Sequence, residues 1–500
     1  MNPRCFPAIP RDVAAESDSE LQIKNLETQV HDILRFLRSL QNTLRPINRL
    51  PPEIVSYIAR SVFEDNDIDT RSIVPLTHVC RYWRDSIISM PENWTLISNK
   101  RRKLAELSLA RAKAAPLTIT LNLLESNQGL LDLLPPYIPN VASLTCDGFY
   151  TIEDLIQALP NLPGSMPKLR SLDLRKTIHA NWNRSIDPFD FSAHTKLREL
   201  SLTSIPLFPS ILRIRTLTEF SLIDYFFPLH IDTLLSFLEE NHSLEDATFD
   251  IEFTEHSLCR SRRRTPVGNG LRRLSIFCED TIIIRALISS IALRKGAALE
   301  IHHYGNDTKL SDILSGVPAT HLPNLSSSTF MEYQTSLSLR SIRLLGPDGS
   351  FLYEGGGKKE ALFGEFPLLP LVSVREFHLS YRSSWSQTRL QLSSFPSLEV
   401  LVVDCGVDNT PLFISLPNPA SSPFMKTLVF LDCVITKGFM IELSQLAAYR
   451  KKTASASLRR VVIANSPGNQ LPGVALVDRL KKHVPVVEVA EGRELPEDLR

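Results

Sequence analysis

Residues 169–174 read LRSLDL, and residues 197–202, which begin 28 positions later, read LRELSL. Both stretches place apolar residues at their first, fourth and sixth positions. Because side chains alternate between the two faces of a strand, the fourth and sixth residues share one face. The same pattern recurs in VASLTC (141–146), LTEFSL (217–222), LEDATF (244–249), LRRLSI (271–276), LRSIRL (339–344), VREFHL (374–379), LEVLVV (398–403), MKTLVF (425–430) and LRRVVI (458–463). The sequence therefore predicts a series of similar strands, each with one apolar face.

Helical patterns separate these strands, as in IDTLLSFLEEN (231–241) and FMIELSQLAAYR (439–450). ALEIHHY near residue 300 is a degraded copy of the motif, and with it the successive strand motifs from residue 141 to residue 299 start 28, 28, 20, 27, 27 and 28 residues apart. A strand and a returning helix at intervals of roughly 20–29 residues are typical of leucine-rich repeats, which stack into solenoids. We therefore predict an α/β fold in which residues 117–490 form an irregular leucine-rich-repeat solenoid, with parallel strands on its concave face and helices outside. The segments 304–333 and 346–370 do not fit the repeat, and we interpret them as surface loops.

Composition limits the class of protein. The chain has 500 residues, of which 43% are hydrophobic and 22% charged, as in folded soluble proteins. Lys+Arg and Asp+Glu balance at 55 each, so we expect neither nucleic acid nor a membrane surface as a partner. The longest apolar run, at 281–296, is interrupted by Arg285 and is too short for a membrane span. Seven scattered cysteines without a CxxC pair indicate reduced thiols, hence the cytoplasm, with the nucleus as an alternative.

Motifs for catalysis or metal binding are incomplete. The glycines of SFLYEGGGKKEA (350–361) lack the spacing of a phosphate-binding loop, and Lys359 stands where Ser or Thr is required. DNDID (65–69) lacks the glycine and the terminal glutamate of a calcium loop. His302 and His303 have no HExxH motif or matching cysteines around them. We therefore expect no cofactor, no metal and no enzymatic activity.

A heptad pattern precedes the repeats. Between residues 17 and 46, apolar residues follow one another at alternating spacings of three and four, which predicts one long amphipathic helix. These heptad positions are Ile23, Leu26, Val30, Ile33, Leu37, Leu40 and Leu44. The pattern allows two interpretations: residues 23–44 pair with a helix of another chain, or the helix folds back on its own neighbours. Residues 1–16 and 491–500 are interpreted as flexible tails.

Two short helices follow the heptad helix. LPPEIVSYIARSVF (50–63) opens with a Pro-Pro pair, which suits a helix start because the missing N–H groups would be unpaired there anyway. VPLTHVCRYWRDSI (74–87) carries a second apolar stripe and is followed by PENW (91–94). Two helices of this length cannot bury both stripes between themselves, so part of that surface is expected to meet a partner.

The stretch Leu-Pro-x-Glu-Ile, followed by Val-Cys-x-x-Trp-Arg and PENW, resembles the F-box motif. The heptad helix, PINRLPPEI and VPLTHVCRYWRD together are similar to the F-box-like proteins, with divergent leucine-rich arrays, that are expanded in mushroom-forming fungi. The resemblance implies an F-box-like domain at 47–99, with residues 100–116 as a linker helix. It also implies docking on a Skp-type linker protein, and through it on a cullin–RING ligase, by Leu50, Pro51, Glu53, Ile54, Ile58, Val79, Cys80, Trp83 and Arg84.

Residues between the buried positions of the strands are expected to face the concave side, where a solenoid binds its target. The candidates for this target-binding face are Asp173, Arg175, Glu199, Asp246, Asp250, Arg273, Phe277, Arg343 and His378. In the last repeats the corresponding positions are apolar, as at Val402, Val429 and Val462. Such a patch is either an interface or covered by another part of the chain.

These features predict a substrate-receptor adaptor of a Skp–cullin–F-box ubiquitin ligase, in which the repeat array recruits an unknown target protein. The alternative is a leucine-rich-repeat interaction scaffold that has no connection with ubiquitylation.

Overall fold

The computed structural model describes residues 13–64, 73–124, 131–149, 166–177, 195–225, 231–251, 270–305, 310–335, 340–356, 366, 369–381, 392–404, 422–452, 457–465 and 472–491. The fold is α/β, with a long N-terminal helix and a large, mostly parallel open sheet, and to that extent the predicted fold class is confirmed. The chain divides into two compact units. The first contains residues 1–147 with 157–160 and 165–169, and the second contains the remainder.

Two helices of the described residues begin at clear start signals in the sequence. Pro52 is the first residue of the helix Pro52–Glu64. At the start of the helix Thr281–Ser290, the Asp280 carboxylate accepts a hydrogen bond from the Ile282 N–H at 2.7 Å. The helices are α1 (Val13–Leu44), α2 (Pro52–Glu64), α3 (Ile73–Leu76), α4 (Arg81–Ser89), α5 (Arg102–Ala112), α6 (Ile231–Glu240), α7 (Thr281–Ser290), α8 (Leu310–Leu314), α9 (Pro323–Ser326), α10 (Lys437–Lys452) and α11 (Val474–Lys481).

The predicted heptad helix is present as α1. It begins at Val13, so residues 13–16 of the predicted N-terminal tail are helical. Residues 1–12 and 492–500, which make up the rest of the two predicted tails, lie outside the described residues. α5 coincides with the predicted linker helix 100–116 and packs on the first strand and on residues 91–94 within the first unit.

The strands follow the repeated motif. They are β1 (Leu96–Ser98), β2 (Leu117–Asn122), β3 (Val141–Phe149), β4 (Ser171–Lys176), β5 (Glu199–Thr203), β6 (Glu219–Tyr225), β7 (Asp246–Ile251), β8 (Arg273–Cys278), β9 (Ala297–His303), β10 (Phe330–Thr335), β11 (Arg340–Gly346), β12 (Gly349–Gly355), β13 (Glu376–Tyr381), β14 (Val400–Asp404), β15 (Thr427–Leu431), β16 (Arg460–Asn465) and β17 (Val486–Glu491).

Equivalent motif positions pair across neighbouring strands. In the second unit, Leu172 of β4 lies beside Leu200 of β5, which lies beside Phe220 of β6, and all the pairings from β4 to β9 are parallel. These side chains are buried, whereas the residues between the buried positions of β4 to β9 are half-buried or exposed, except for Ser275, which is buried. The apolar rows therefore form the main core, and the alternate residues form an opposite face, which we call the polar face.

Three strands of the second unit depart from the parallel order. β12 pairs in parallel with β9, β11 pairs antiparallel with both β12 and β10, and β10 pairs in parallel with β13. The order is therefore β9–β12–β11–β10–β13, and β14 to β17 continue in parallel. The interpretation of 304–333 and 346–370 as surface loops was wrong, since both contain strands of the sheet. LRSIRL (339–344), which has the repeat pattern, is the antiparallel strand.

A tight hairpin allows this inversion. β11 ends at Gly346 and β12 begins at Gly349, so Pro347 and Asp348 alone make the turn. Gly349 has φ +120°, and a Cβ atom built on it would lie 1.9 Å from the Ala297 carbonyl oxygen of β9. Only glycine combines that backbone conformation with so close an approach.

Three apolar positions on the polar face of β14, β15 and β16 are buried. Val402, Val429 and Val462 are each at most 2% exposed, and together with Leu431 and Ala464 they form a second apolar cluster. Of the two sequence interpretations, the covered patch is therefore the correct one for these residues.

Candidate functional site: a docking face and a polar sheet face

The N-terminal helices α2, α3 and α4 share a small core. Val55 and Ala59 on one side of α2 are fully buried, and so are Ile73 of α3 and Ile87 of α4. Val55 and Ala59 are four residues apart and therefore lie on the same side of their helix. The module thus has an apolar interior of its own.

Residues 91–94 complete this core. Trp94 is 1% exposed, and its indole N–H donates to the Ile87 carbonyl at 3.0 Å. The side chain of Asn93 donates to the same carbonyl at 3.2 Å and accepts from the Ser56 hydroxyl at 2.7 Å. The Arg111 guanidinium lies 4.3 Å from the centre of a Trp94 ring, and burial lowers the pKa of this arginine. The buried hydrogen bonds fix α2 and α4 relative to residues 91–94.

Other apolar residues of this module point outward. Ile54 is 44% exposed and Tyr57 71% exposed on α2, and Val79 is 54% exposed just before α4. Ile47 precedes α2 and is also exposed. The Cys80 thiol lies 3.6 Å from the Asn48 side-chain oxygen, so Val79 is close to the segment that carries Ile47. We call Ile47, Ile54, Tyr57 and Val79 the docking face.

The remaining residues assigned by resemblance are placed around these helices. Pro51 and Glu53 are exposed, and Leu50 and Ile58 are half-buried. The Tyr82 hydroxyl donates to the Leu50 carbonyl, which holds the start of α2 against α4.

Two of these residues have structural contacts within the module. Arg84 donates through Nε to the Thr77 carbonyl at 3.0 Å and so stabilises the turn before α4. Trp83 is 4% exposed, and its indole nitrogen has no hydrogen-bond partner among the described residues. The Trp83 ring therefore lies in the module's own core, and its assignment to the docking site stays a prediction.

The polar face of the second unit contains all nine candidate target-binding residues. Each lies on a strand beside at least one buried neighbour, and most lie between two, as Asp173 does between Leu172 and Leu174. Carboxylates outnumber guanidinium groups on this face. The carboxylates are those of Asp173, Glu199, Glu219, Asp246, Asp250, Glu300, Glu332, Glu354, Glu376, Asp404 and Glu488, and the guanidinium groups are those of Arg175, Arg273, Arg343 and Arg460.

Three of these carboxylates stand side by side. Glu199, Glu219 and Asp246 are register partners on β5, β6 and β7. Partial burial, followed by the charges of Glu199 and Asp246, raises the pKa of Glu219, and only Arg273 on the next strand opposes this. Like charges in directly neighbouring positions destabilise a sheet, so this row of carboxylates lowers the stability of the fold.

The inverted strands form a concavity of about 300 Å³ on the polar face. Its lining includes Glu300 of β9, Glu332 of β10, Glu354 of β12 and Arg343 of β11. Arg343 is exposed and has no ion pair within the described part of the chain. The concavity therefore combines several carboxylates with one accessible guanidinium group.

Two histidines border this region. His302 stacks on Phe277 with ring centroids 4.1 Å apart, and its Nδ1 lies 2.9 Å from a Glu354 carboxylate oxygen. His378 contacts Glu376 on its own strand at 2.6 Å. Both histidines are half-buried and paired with carboxylates, so they act as polar contacts of the sheet surface.

The sequence patterns missed part of this surface. Glu219 occupies the same motif position in LTEFSL as Glu199 does in LRELSL, and that correspondence could have identified it. Glu332 and Glu354 were missed because their segments were interpreted as loops.

Within the described residues, no group of three or more His, Cys, Asp or Glu side chains is arranged to hold a metal ion. None of the described helices has both the length and the apolar character needed to cross a bilayer. No protein-family model matches the chain, and no curated protein is significantly similar to it.

Proposed function

We propose that the chain is a substrate-receptor adaptor, not a catalyst, of a Skp–cullin–F-box ubiquitin ligase. In this proposal the N-terminal module is F-box-like and docks on a Skp-type linker protein, and the strand repeats of the second unit form a leucine-rich-repeat solenoid that recruits a target. The observation that carries it is that Ile54, Tyr57 and Val79 are exposed beside a module that already has a core.

The burial of one side of α2 and the exposure of its other side support the adaptor proposal. Val55 and Ala59 satisfy the intramolecular side of the helix, so the chain does not need Ile54 or Tyr57 for its own packing. Burying the exposed part of each docking-face side chain would contribute about 1 kcal/mol to binding. Exposed apolar residues grouped on one module are typical of protein interfaces.

The excess of carboxylates on the polar face supports a target with a basic surface. The charges of the whole chain balance, at 55 of each sign, so this excess is local. A local field of one sign favours encounter with a partner of the opposite sign.

Calorimetric titration of the full chain with a purified Skp-type linker protein tests the docking. We expect micromolar or tighter binding by the wild type, and a loss of at least tenfold in the double variant Ile54→Asp/Val79→Asp. The control is Leu107→Asp, because Leu107 is 41% exposed on α5 of the same unit and lies outside the docking face. The proposal is wrong if the wild type does not bind at micromolar concentrations.

That negative result would leave an interaction scaffold outside ubiquitylation as the function. The adaptor proposal places the protein in the cytoplasm or the nucleus, where ubiquitin ligases of this kind work. Cys80 and Cys278 are free thiols, in accord with a reducing compartment.

A further inference from the structure

The apolar heptad positions of α1 are all open to solvent. From Ile23 to Leu44 their exposed fractions range from 46% at Leu40 to 70% at Leu44. Leu34 and Phe36 are exposed beside them and widen the apolar stripe. No described segment of the chain covers these side chains, so the helix does not fold back on its neighbours as one sequence interpretation allowed.

We propose that α1 binds α1 of a second copy of this chain, forming a two-stranded coiled coil over residues 23–44. Alternating spacings of three and four require a partner helix with the same repeat, because each side chain must fill a gap between four side chains of the partner. Among the described helices, the other long one is α10, and its apolar residues, such as Leu443 and Ala447, are buried within the second unit.

The positions that flank the heptad stripe permit self-association. With Ile23 as the first heptad position, the flanking residues are Glu27, Gln29, Leu34, Phe36, Gln41 and Thr43. Glu27 is the one charged residue of this set, so two identical helices would meet without a row of like charges. The first two heptads begin with a β-branched residue, Ile23 and Val30, and the first continues with Leu26 at the fourth position, the combination that favours two strands. The second heptad has Ile33 at its fourth position, and the third has Leu37 and Leu40.

The available area is sufficient for a stable pair. Residues 23–44 span about 33 Å of helix at 1.5 Å per residue. Covering the exposed parts of the heptad side chains, Leu34 and Phe36 would bury on the order of 700 Å² per helix, close to the roughly 800 Å² per partner of a standard interface.

Pairing would also bring two docking faces together. Residues 45–51 alone separate α1 from α2, and the Asn48 side chain donates to the Asn42 carbonyl at the end of α1 at 2.7 Å. The thiol of Cys80 contacts the side-chain oxygen of Asn48. The end of the paired helix is therefore joined closely to the module, and each dimer would present two binding sites for the same partner.

Sedimentation equilibrium of the full chain tests the proposal. We expect the wild type to have twice the 56.3 kDa chain mass at 10 μM, and Leu26→Glu/Ile33→Glu/Leu40→Glu to have the chain mass alone. The control, Asn25→Glu/Thr28→Glu/Ser39→Glu, adds three carboxylates away from the stripe and should remain dimeric.

A wild type that sediments at the mass of one chain, or a stripe variant that stays dimeric, would overturn the inference. Circular dichroism and the Skp-type titration of the stripe variant provide the second measurement. Native helix content with unchanged binding per chain would show that the module is folded, so that a lost dimer reflects α1 alone. The same titration separates failure of this inference from failure of the adaptor proposal.

Discussion

Replacement of Gly349 tests the least expected part of the fold, the inverted strands between β9 and β13. At this position Gly349→Ala combines two penalties. The backbone angle φ of +120° disfavours any L side chain, and the new methyl group would lie 1.9 Å from the Ala297 carbonyl oxygen. To restore a contact of 3.0 Å or more, β12 must move away from β9 by roughly 1 Å, which lengthens the hydrogen bonds at that end of the pair beyond their useful range.

Gly296→Ala is a matched control. Gly296 also has a positive φ, +84°, but a Cβ atom there would have no neighbour within 4 Å. The control therefore carries the backbone strain without the clash. We expect it to cost about 1 kcal/mol, and Gly349→Ala to cost roughly 4 kcal/mol. With a denaturant dependence of about 3 kcal/mol per molar urea, the unfolding midpoint of the second unit would fall by roughly 0.3 M and 1.3 M respectively.

Urea unfolding, followed together with hydrogen exchange of the full chain, provides the measurement. In Gly349→Ala, peptides from residues 297–303 and 349–355 should lose protection, whereas peptides from β4 and β5 should keep it. Equal midpoints for the two variants would refute the reasoning, because they would mean that β12 does not lie against β9 at Gly349.

Three further predictions address packing and charge. Trp94→Ala should lower the free energy of unfolding by about 4 kcal/mol, and Trp94→Phe by about 1 kcal/mol, because the phenyl ring keeps most of the packing and loses only the hydrogen bond to the Ile87 carbonyl. Hydrogen-exchange protection of α2 and α4 measures the difference, and equal losses of protection in the two variants would contradict the prediction. Burial raises the pKa of the Cys278 thiol to about 12, so native protein at pH 8 should label at Cys80 and not at Cys278, as peptide mass spectrometry can show. Glu219→Gln should stabilise the protein by a few tenths of a kcal/mol at pH 7. Because the folded-state pKa of Glu219 is raised, its charged form is the disfavoured one, and the gain should vanish as the pH falls and the wild-type carboxyl takes up its proton.

The repeat pattern predicted the strands correctly because it reports burial. Leu172 and Leu174 are buried as LRSLDL requires, and Asp173 between them lies on the polar face. An alternating pattern, however, contains no information on strand direction. LRSIRL therefore looked like the other copies, although β11 runs antiparallel to its neighbours. The Pro347-Asp348-Gly349 sequence that ends β11 is a turn signal, and it could have indicated the hairpin.

The N-terminal residues show a different limit. On α2 the apolar side chains occupy adjacent positions, Ile54 with Val55 and Ile58 with Ala59, so the stripe is too broad to show which side faces inward. The structure buries Val55 and Ala59 and exposes Ile54. Trp83 was assigned to docking by its place in the Val-Cys-x-x-Trp-Arg stretch, which does not show that so large an apolar ring is buried within the module.

Exposed apolar residues are distributed differently in the two units. In the second unit, most apolar side chains on the polar face of β14 to β16 are buried, as at Val429, whereas Val486 of β17 is 44% exposed, and many of the accessible residues on this face are charged. In the first unit, the α1 stripe and the docking face stay exposed although the module has a complete core. Apolar surface that folding leaves uncovered contributes nothing to the stability of the single chain, and under the two proposals above it contributes to binding other chains. On the same proposals, the first unit provides stable assembly, and the polar face of the second unit provides a salt-sensitive encounter with a target.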